Sequence, residues 1–98
     1  MIKHIVFFKL SEDGKLQQQT IISKLEGLIK EINFIQFLEV GVNFAIEDRA
    51  YDIALTVVLN NKDDLNAYAI HPKHLEVVSF IKKVATSSKV VDYEMASI

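Results

Sequence analysis

The strongest constraint in this chain is a set of strand-like segments that are apolar on both sides. In Tyr51-Asp52-Ile53-Ala54-Leu55-Thr56-Val57-Val58-Leu59 the odd positions Tyr51, Ile53, Leu55, Val57 and Leu59 share one face of an extended segment. The even positions Ala54, Thr56 and Val58 share the other face and are also mostly apolar. The segment from Ile2 to Leu10 repeats the pattern, with Ile5 and Phe7 on one side and Ile2, Val6 and Phe8 on the other. Side chains alternate along a strand with period two. A strand that is apolar on both sides therefore asks to be covered on both.

The rest of the chain shows what is available to cover it. Between Lys15 and Ile32, the apolar residues Leu16, Ile21, Ile22, Leu25, Leu28, Ile29 and Ile32 fall mostly three and four apart. That spacing is one stripe of a helix. Ser11-Glu12-Asp13-Gly14 reads as a loop and helix start, and Asn33 as a stop. Phe37 to Phe44 reads as a second strand, in which Gly41 marks a bulge or a close backbone approach. Glu47-Asp48-Arg49 is a polar turn, and Asn60-Asn61 ends the third strand. A helix starts at Lys62 and runs to Ala69. Proline fits the first turn of a helix but not its interior. Pro72 therefore predicts a break at Ile70-His71 and a new helix from Pro72 to about Ala85. Val90 to Met95 reads as the last strand.

The order strand, helix, strand, strand, helix, strand predicts an α+β, ferredoxin-like βαββαβ fold with a four-stranded antiparallel sheet. It forms a single domain over residues 1–98. Two helices cover one face of such a sheet and leave the other bare. A bare apolar sheet face is larger than monomers usually expose. The pattern thus predicts a homodimer through the open sheet face, sheet on sheet with two-fold symmetry, closing a dimeric α/β barrel. The alternative is a set of short strands whose second face is shielded by loops.

Composition narrows the function classes. With 50% hydrophobic residues, one proline and three glycines, the chain is neither disordered nor collagen-like. The absence of cysteine excludes a disulfide scaffold, a thiolate metal site and a cysteine nucleophile. A net charge of −2 offers no footprint for nucleic acid or an anionic membrane. The first ten residues are interrupted by Lys3, His4 and Lys9, unlike a signal peptide. No segment approaches the roughly 20 apolar residues of a membrane span. The expectation is a cytoplasmic protein with neither nucleic-acid nor membrane partners.

Three histidines are the main candidates for chemistry. His4 shares a strand face with Val6 and Phe8. It reads either as a core histidine satisfied by one hydrogen bond or as a general acid/base in a cavity. In His71-Pro72-Lys73-His74, the proline pushes His71 into an extended conformation just outside the helix and places His74 in its first turn. There the helix dipole disfavours the imidazolium, which suits His74 to act as a base. Tyr68 lies just upstream and could donate its phenol to a developing oxyanion. The plainer reading makes His71 a cap and His74 a surface residue. Pro72 keeps both histidines off one helical face, so a structural zinc site is not expected. A weakly held ion on carboxylate and backbone oxygens remains an open alternative. There is no Gly-rich phosphate loop and no nucleophile elbow. Asp52 and Asp92, each beside a tyrosine, read as edge or turn devices rather than a catalytic pair.

Several segments taken together resemble one family. Met1 to Lys9, Glu39-Val40-Gly41-x-Asn43, Tyr51 to Leu55, Leu65-x-x-Tyr68-x-x-His71-Pro72-x-His74 and Val90-Val91-Asp92-Tyr93-Glu94 are similar, in this order, to the stress-responsive A/B barrel family. The resemblance covers nearly the whole chain. It implies ferredoxin-like dimers whose sheets close into one barrel, and it implies no cofactor. Most members have no established activity, while a plant branch includes a cofactor-independent polyketide cyclase. There a tyrosine and the second histidine of the His-Pro-x-His element act on a poly-keto substrate in a cavity between sheet and helices. A histidine of the first strand lines that cavity. The matching positions here are Tyr68, His74 and His4.

Two functions follow from the resemblance and the residues together. One is a dimeric binding domain that holds a small apolar or aromatic molecule. The other is a cofactor-independent cyclase, isomerase or lyase, with His74 as base, Tyr68 as oxyanion partner and His4 orienting. His71 and Tyr51 are further candidates for ligand contact. Many relatives carry Pro-Gly before the second strand, where this chain has Asn33-Phe34-Ile35-Gln36. The two bulky residues are expected to narrow or reshape the cavity mouth.

Overall fold

The structure, a computed structural model, describes residues 1–96. Its elements are β1 (Ile2–Leu10), α1 (Glu12–Leu16), α2 (Gln18–Glu31), β2 (Phe37–Val42), β3 (Ile53–Leu59), α3 (Lys62–Ile70), α4 (Pro72–Val84) and β4 (Ala85–Glu94). The strands form one antiparallel sheet in the order β2-β3-β1-β4. The helices pack on one face of it, in the ferredoxin-like arrangement expected. The molecule is a two-layer slab of 37 × 30 × 17 Å.

Local chemistry sets the helix boundaries. The Ser11 hydroxyl accepts from the Gly14 N–H at 2.9 Å and starts α1 at Glu12, earlier than the apolar stripe indicates. The single helix expected from Lys15 is interrupted at Gln17, which separates α1 from α2. Asn61 caps α3 by accepting from the Asp64 N–H at 2.8 Å. His71 holds φ −62° and ψ 134°, the extended geometry that a following proline demands. Its Nδ1 accepts from the Lys73 N–H at 3.1 Å and caps α4, with Pro72 in the first turn.

Gly14 provides the close backbone approach that the sequence reading assigned to Gly41. A Cβ at Gly14 would lie 2.1 Å from the Val84 carbonyl oxygen, which also accepts from the Ser11 N–H at 2.9 Å. At Gly41 a Cβ would meet nothing within 4 Å, and the β2–β3 register passes through it without a bulge. Gly14→Ala is therefore expected to push α1 off the end of α4 at a cost of about 2 kcal/mol. For a chain of this length that lowers Tm by roughly 8–16 °C, measurable by thermal unfolding in far-UV circular dichroism. Gly41→Ala is expected to be nearly silent in the same measurement.

Two strand boundaries differ from expectation. β4 starts at Ala85 because Lys89, Ser88, Ser87 and Ala85 pair with Phe7, Phe8, Lys9 and Leu10. β3 starts at Ile53, and just before it the Asp52 carboxylate accepts from the Leu10 N–H at 2.7 Å.

The register fixes two faces. Toward the helices point Ile2, His4, Val6, Phe8 and Leu10 of β1, with Ile53, Leu55, Val57 and Leu59 of β3. They enclose the core with Ile21, Leu25 and Leu28 of α2, Tyr68 of α3 and Ile81 and Val84 of α4. The opposite face carries the rows Phe37–Val58–Lys3–Tyr93, Glu39–Thr56–Ile5–Val91 and Gly41–Ala54–Phe7–Lys89. On it Phe7, Phe37, Val91 and Tyr93 remain 45%, 48%, 52% and 44% exposed. Parity separates Ile5 and Phe7 from Ile2, Val6 and Phe8 as the sequence indicates, and the structure assigns Ile5 and Phe7 to the side the helices leave open.

Candidate active site

Between α4 and the β1–β4 side of the sheet lies a cavity of about 260 Å³. Its walls are mostly apolar, from Val6 and Phe8 to Leu25, Leu28, Leu55 and Ile81. Into this lining the fold brings three polar rings, those of His4, Tyr68 and His74. Three larger depressions, of about 500, 480 and 450 Å³, lie elsewhere on the surface. The first runs along α2 and α4 among Lys24, Glu31, Lys73 and Glu76, and none of the three contains a histidine or a buried tyrosine.

Each ring is held from behind. β1 and β4 pair His4 directly with Asp92, and the Asp92 carboxylate hydrogen-bonds to His4 Nδ1. The carboxylate accepts, so Nδ1 carries the proton in this bond and Nε2 is the nitrogen turned away from Asp92. His74 Nδ1 lies 3.0 Å from the Ala69 carbonyl oxygen, one of the acceptors left over at the end of α3. A carbonyl only accepts, so this bond also protonates Nδ1 and leaves Nε2 as the basic nitrogen. Among the described residues neither Nε2 has a hydrogen-bond partner. The Tyr68 ring stands edge-on to His4 at 5.7 Å and packs against His74 at 4.4 Å between centroids. Tyr68 is 1% exposed, and among the described residues its hydroxyl has no hydrogen-bond partner.

Burial dominates the electrostatics. It holds the His74 imidazolium below its usual range, His4 and His71 add to that direction by charge repulsion, and the bond to Ala69 opposes it. The sequence reading expected the same direction from the helix dipole; the larger cause is removal from water. Burial also raises the Tyr68 phenol well above its ordinary value, so it stays a neutral donor. The sign of the resulting pH dependence follows from linkage. The unfolded chain binds a proton at His74 near the ordinary value of 6.5, before the folded chain does. The stability conferred by neutral His74 is fully present above pH 6.5 and is lost as pH falls through 6.5 toward the lower folded value. Urea unfolding at a series of pH values is expected to show a shallower loss below 6.5 in His74→Gln than in the parent chain.

The remaining candidates do not join this cluster. His71 caps α4 and its ring lies 6.4 Å from Phe34, outside the cavity lining. Tyr51 lies over the opposite face of the sheet, its hydroxyl 3.1 Å from Ser87 Oγ and its ring 6.4 Å from Phe7. Phe34 and Ile35 do not shape the cavity mouth either, because Ile35 is buried in the core and neither lines the cavity. Asp52 is the turn device expected, while Asp92 stands behind His4 instead. A signal for Asp92 was present: in a βαββαβ sheet the first and last strands are neighbours, and His4 and Asp92 sit where those strands pair. No group of three or more His, Asp or Glu side chains converges among the described residues.

Comparison with known proteins bears on the family and the fold. The model of the stress responsive A/B barrel domain matches residues 2–95. A stress-response A/B barrel domain-containing protein of Arabidopsis thaliana is 33% identical over 95% of this chain. The chain spans about half of that relative, 46% of its length. A dimeric protein of unknown function and ferredoxin-like fold from Bacteroides fragilis superposes with a TM-score of 0.84 at 32% identity. The superposition covers 96% of this chain and 95% of that one. A hydroxynitrile lyase of Passiflora edulis shares the fold at 20% identity, with a TM-score of 0.86 over 99% of this chain and 94% of its own. With its core register, its His-Pro-x-His cap and these matches in agreement, the chain belongs to the stress-responsive A/B barrel family.

Proposed function

We propose that the protein acts as a two-fold homodimer, each protomer binding a small, largely apolar molecule through a carbonyl or phenolic oxygen. The observation that carries the ligand is the Tyr68 hydroxyl, buried in an apolar wall without a partner. A buried donor left unpaired costs about 1–3 kcal/mol. A ligand oxygen accepting from it would remove that cost on binding, and the apolar lining would take the rest of the molecule. The cavity lies at the small end of ligand pockets, which suits roughly one ring and a short chain.

The dimer rests on surface arithmetic as well as pattern. A folded monomer of this mass should expose about 5,700 Å². This chain exposes 6492 Å². The difference is close to the roughly 800 Å² that one partner contributes to a standard interface. The open sheet face, with Phe7, Phe37, Val91 and Tyr93 half-exposed, is a flat apolar surface that a partner could cover. Sedimentation velocity at micromolar concentration is expected to give twice the 11.1 kDa chain mass, and a single 11.1 kDa species would overturn the dimer.

A catalytic reading is favoured by the two ring tautomers. With Nδ1 tied to Ala69, neutral His74 presents Nε2 as a base. A C–H next to a carbonyl would lose its proton to His74 Nε2, and the enolate oxygen would take the Tyr68 hydrogen bond. His4, fixed by Asp92, would orient the same substrate. The test is proton exchange at the methyl group of acetophenone in heavy water, followed by NMR. Exchange is expected to be accelerated by the protein and to fall by about 100-fold or more in His74→Gln. Acetophenone that shifts the cavity resonances without accelerated exchange would leave a binding module.

A further inference from the structure

The cavity is a slot with two unlike ends, and this bears on the chemistry of its occupant. Along α4 the residues His74, Val78 and Lys82 recur every fourth position, so they stack along one face of the helix. Along β4 the residues Asp92, Val90 and Ser88 alternate on the face that pairs with His4, Val6 and Phe8. The two rows run along the same cavity in matching order. At one end stand His74, Tyr68 and His4, with Asp92 behind the His4 ring, and the middle is Val78 against Val90 and Val6. At the other end stand the exposed Lys82 and Ser88. Eight helical residues span about 12 Å. Four strand residues span about 13 Å.

Lys82 makes no ion pair among the described residues. The carboxylate of Asp92 stands behind His4, hydrogen-bonded to it and outside the cavity lining. An anionic group is therefore attracted at the Lys82 end and disfavoured by the Asp92 charge behind the other, and this asymmetry favours one direction of the ligand.

We propose that the site takes an elongated monoanion, with a carbonyl or phenolic oxygen at one end, a single ring or short chain in the middle and a carboxylate at the other. The oxygen meets Tyr68 and His74, the apolar body fills the valine-lined waist, and the carboxylate meets the Lys82 ammonium and the Ser88 hydroxyl. The inference rests on the cavity being the binding site and adds the charge and length of what it binds.

The experiment uses 4-hydroxycinnamate and its methyl ester, which share the phenol, ring and chain and differ in that one methyl group caps and neutralises the carboxylate of the ester. Binding to the whole chain is followed by amide and histidine-ring NMR shifts. The acid is expected to bind about fivefold more tightly than the ester, the most an exposed ion pair usually supplies. That advantage is expected to shrink as salt is raised. Lys82→Gln is expected to bring the acid down to the affinity that the ester shows for the same variant. Equal binding of acid and ester, or an advantage that survives Lys82→Gln, would overturn the proposal. If acetophenone shifts the cavity resonances and neither longer compound does, the slot is not used end to end, and the charged end is refuted while the cavity stands. If none of the three binds, the cavity reading itself falls.

Discussion

Replacing Ile5 with aspartate is expected to leave the protein monomeric. Ile5 lies in the middle row of the open face, between Thr56 and Val91, with Glu39 at the end of the row. In a sheet-on-sheet dimer that position is enclosed, and two-fold symmetry places the change in the interface twice. A carboxylate buried there without a cation opposite costs several kcal/mol after local relaxation. Taking about 3 kcal/mol per copy, the two copies weaken association by about four orders of magnitude. The protomer itself is expected to survive, because the core lies on the other side of the sheet, around Ile21, Leu25 and Val57. Sedimentation should report the monomer, and far-UV circular dichroism should stay at the parent spectrum. Thr56→Arg tests the same row by bulk and should act in the same direction. A parent chain that sediments as a dimer, with both variants still dimeric at the same concentration, would move the interface away from this face.

The sheet was legible because β1 and β3 carry their whole instruction locally. Alternation within Ile2–Leu10 and Ile53–Leu59 sets which side faces the helices, and the two-sided apolar pattern marks the side that they leave open. β4 was only partly legible. Ala85 to Lys89 is a weak strand former, and its pairing comes from the length of β1, a long-range partner that local preference does not report. The Gly41 reading failed for a related reason. Close approach is a property of the neighbour, and at Gly14 that neighbour is the Val84 carbonyl at the far end of α4.

The site divides in the same way. His71 as a cap and His74 in the first turn follow from Pro72 alone, since the proline fixes both the break and the helix start. The tautomer of His74 does not, because it depends on where the last carbonyls of α3 point. Asp92 was underread because a carboxylate beside a tyrosine in an edge strand has a solvated explanation. Only the register that pairs it with His4 gives it another.

Tyr68→Phe is expected to make the protein more stable and less able to hold its ligand. The substitution removes one oxygen from a residue that is 1% exposed, and that oxygen has no hydrogen-bond partner among the described residues. The phenyl ring keeps its packing between His4 and His74, so no cavity opens. Relief of an unpaired buried hydroxyl should return about 1 kcal/mol, the lower end of its cost. Tm should then rise by roughly 4–8 °C in the unliganded protein. The same change deletes the donor for a ligand oxygen, and acetophenone exchange should fall by about 100-fold. A pure packing role for Tyr68 predicts the first effect without the second. A hydroxyl already satisfied within the fold predicts a loss of stability in place of the gain. Only a group held unpaired for a ligand gives a rise in melting temperature together with a loss of exchange, and the two measurements on one variant decide among the three.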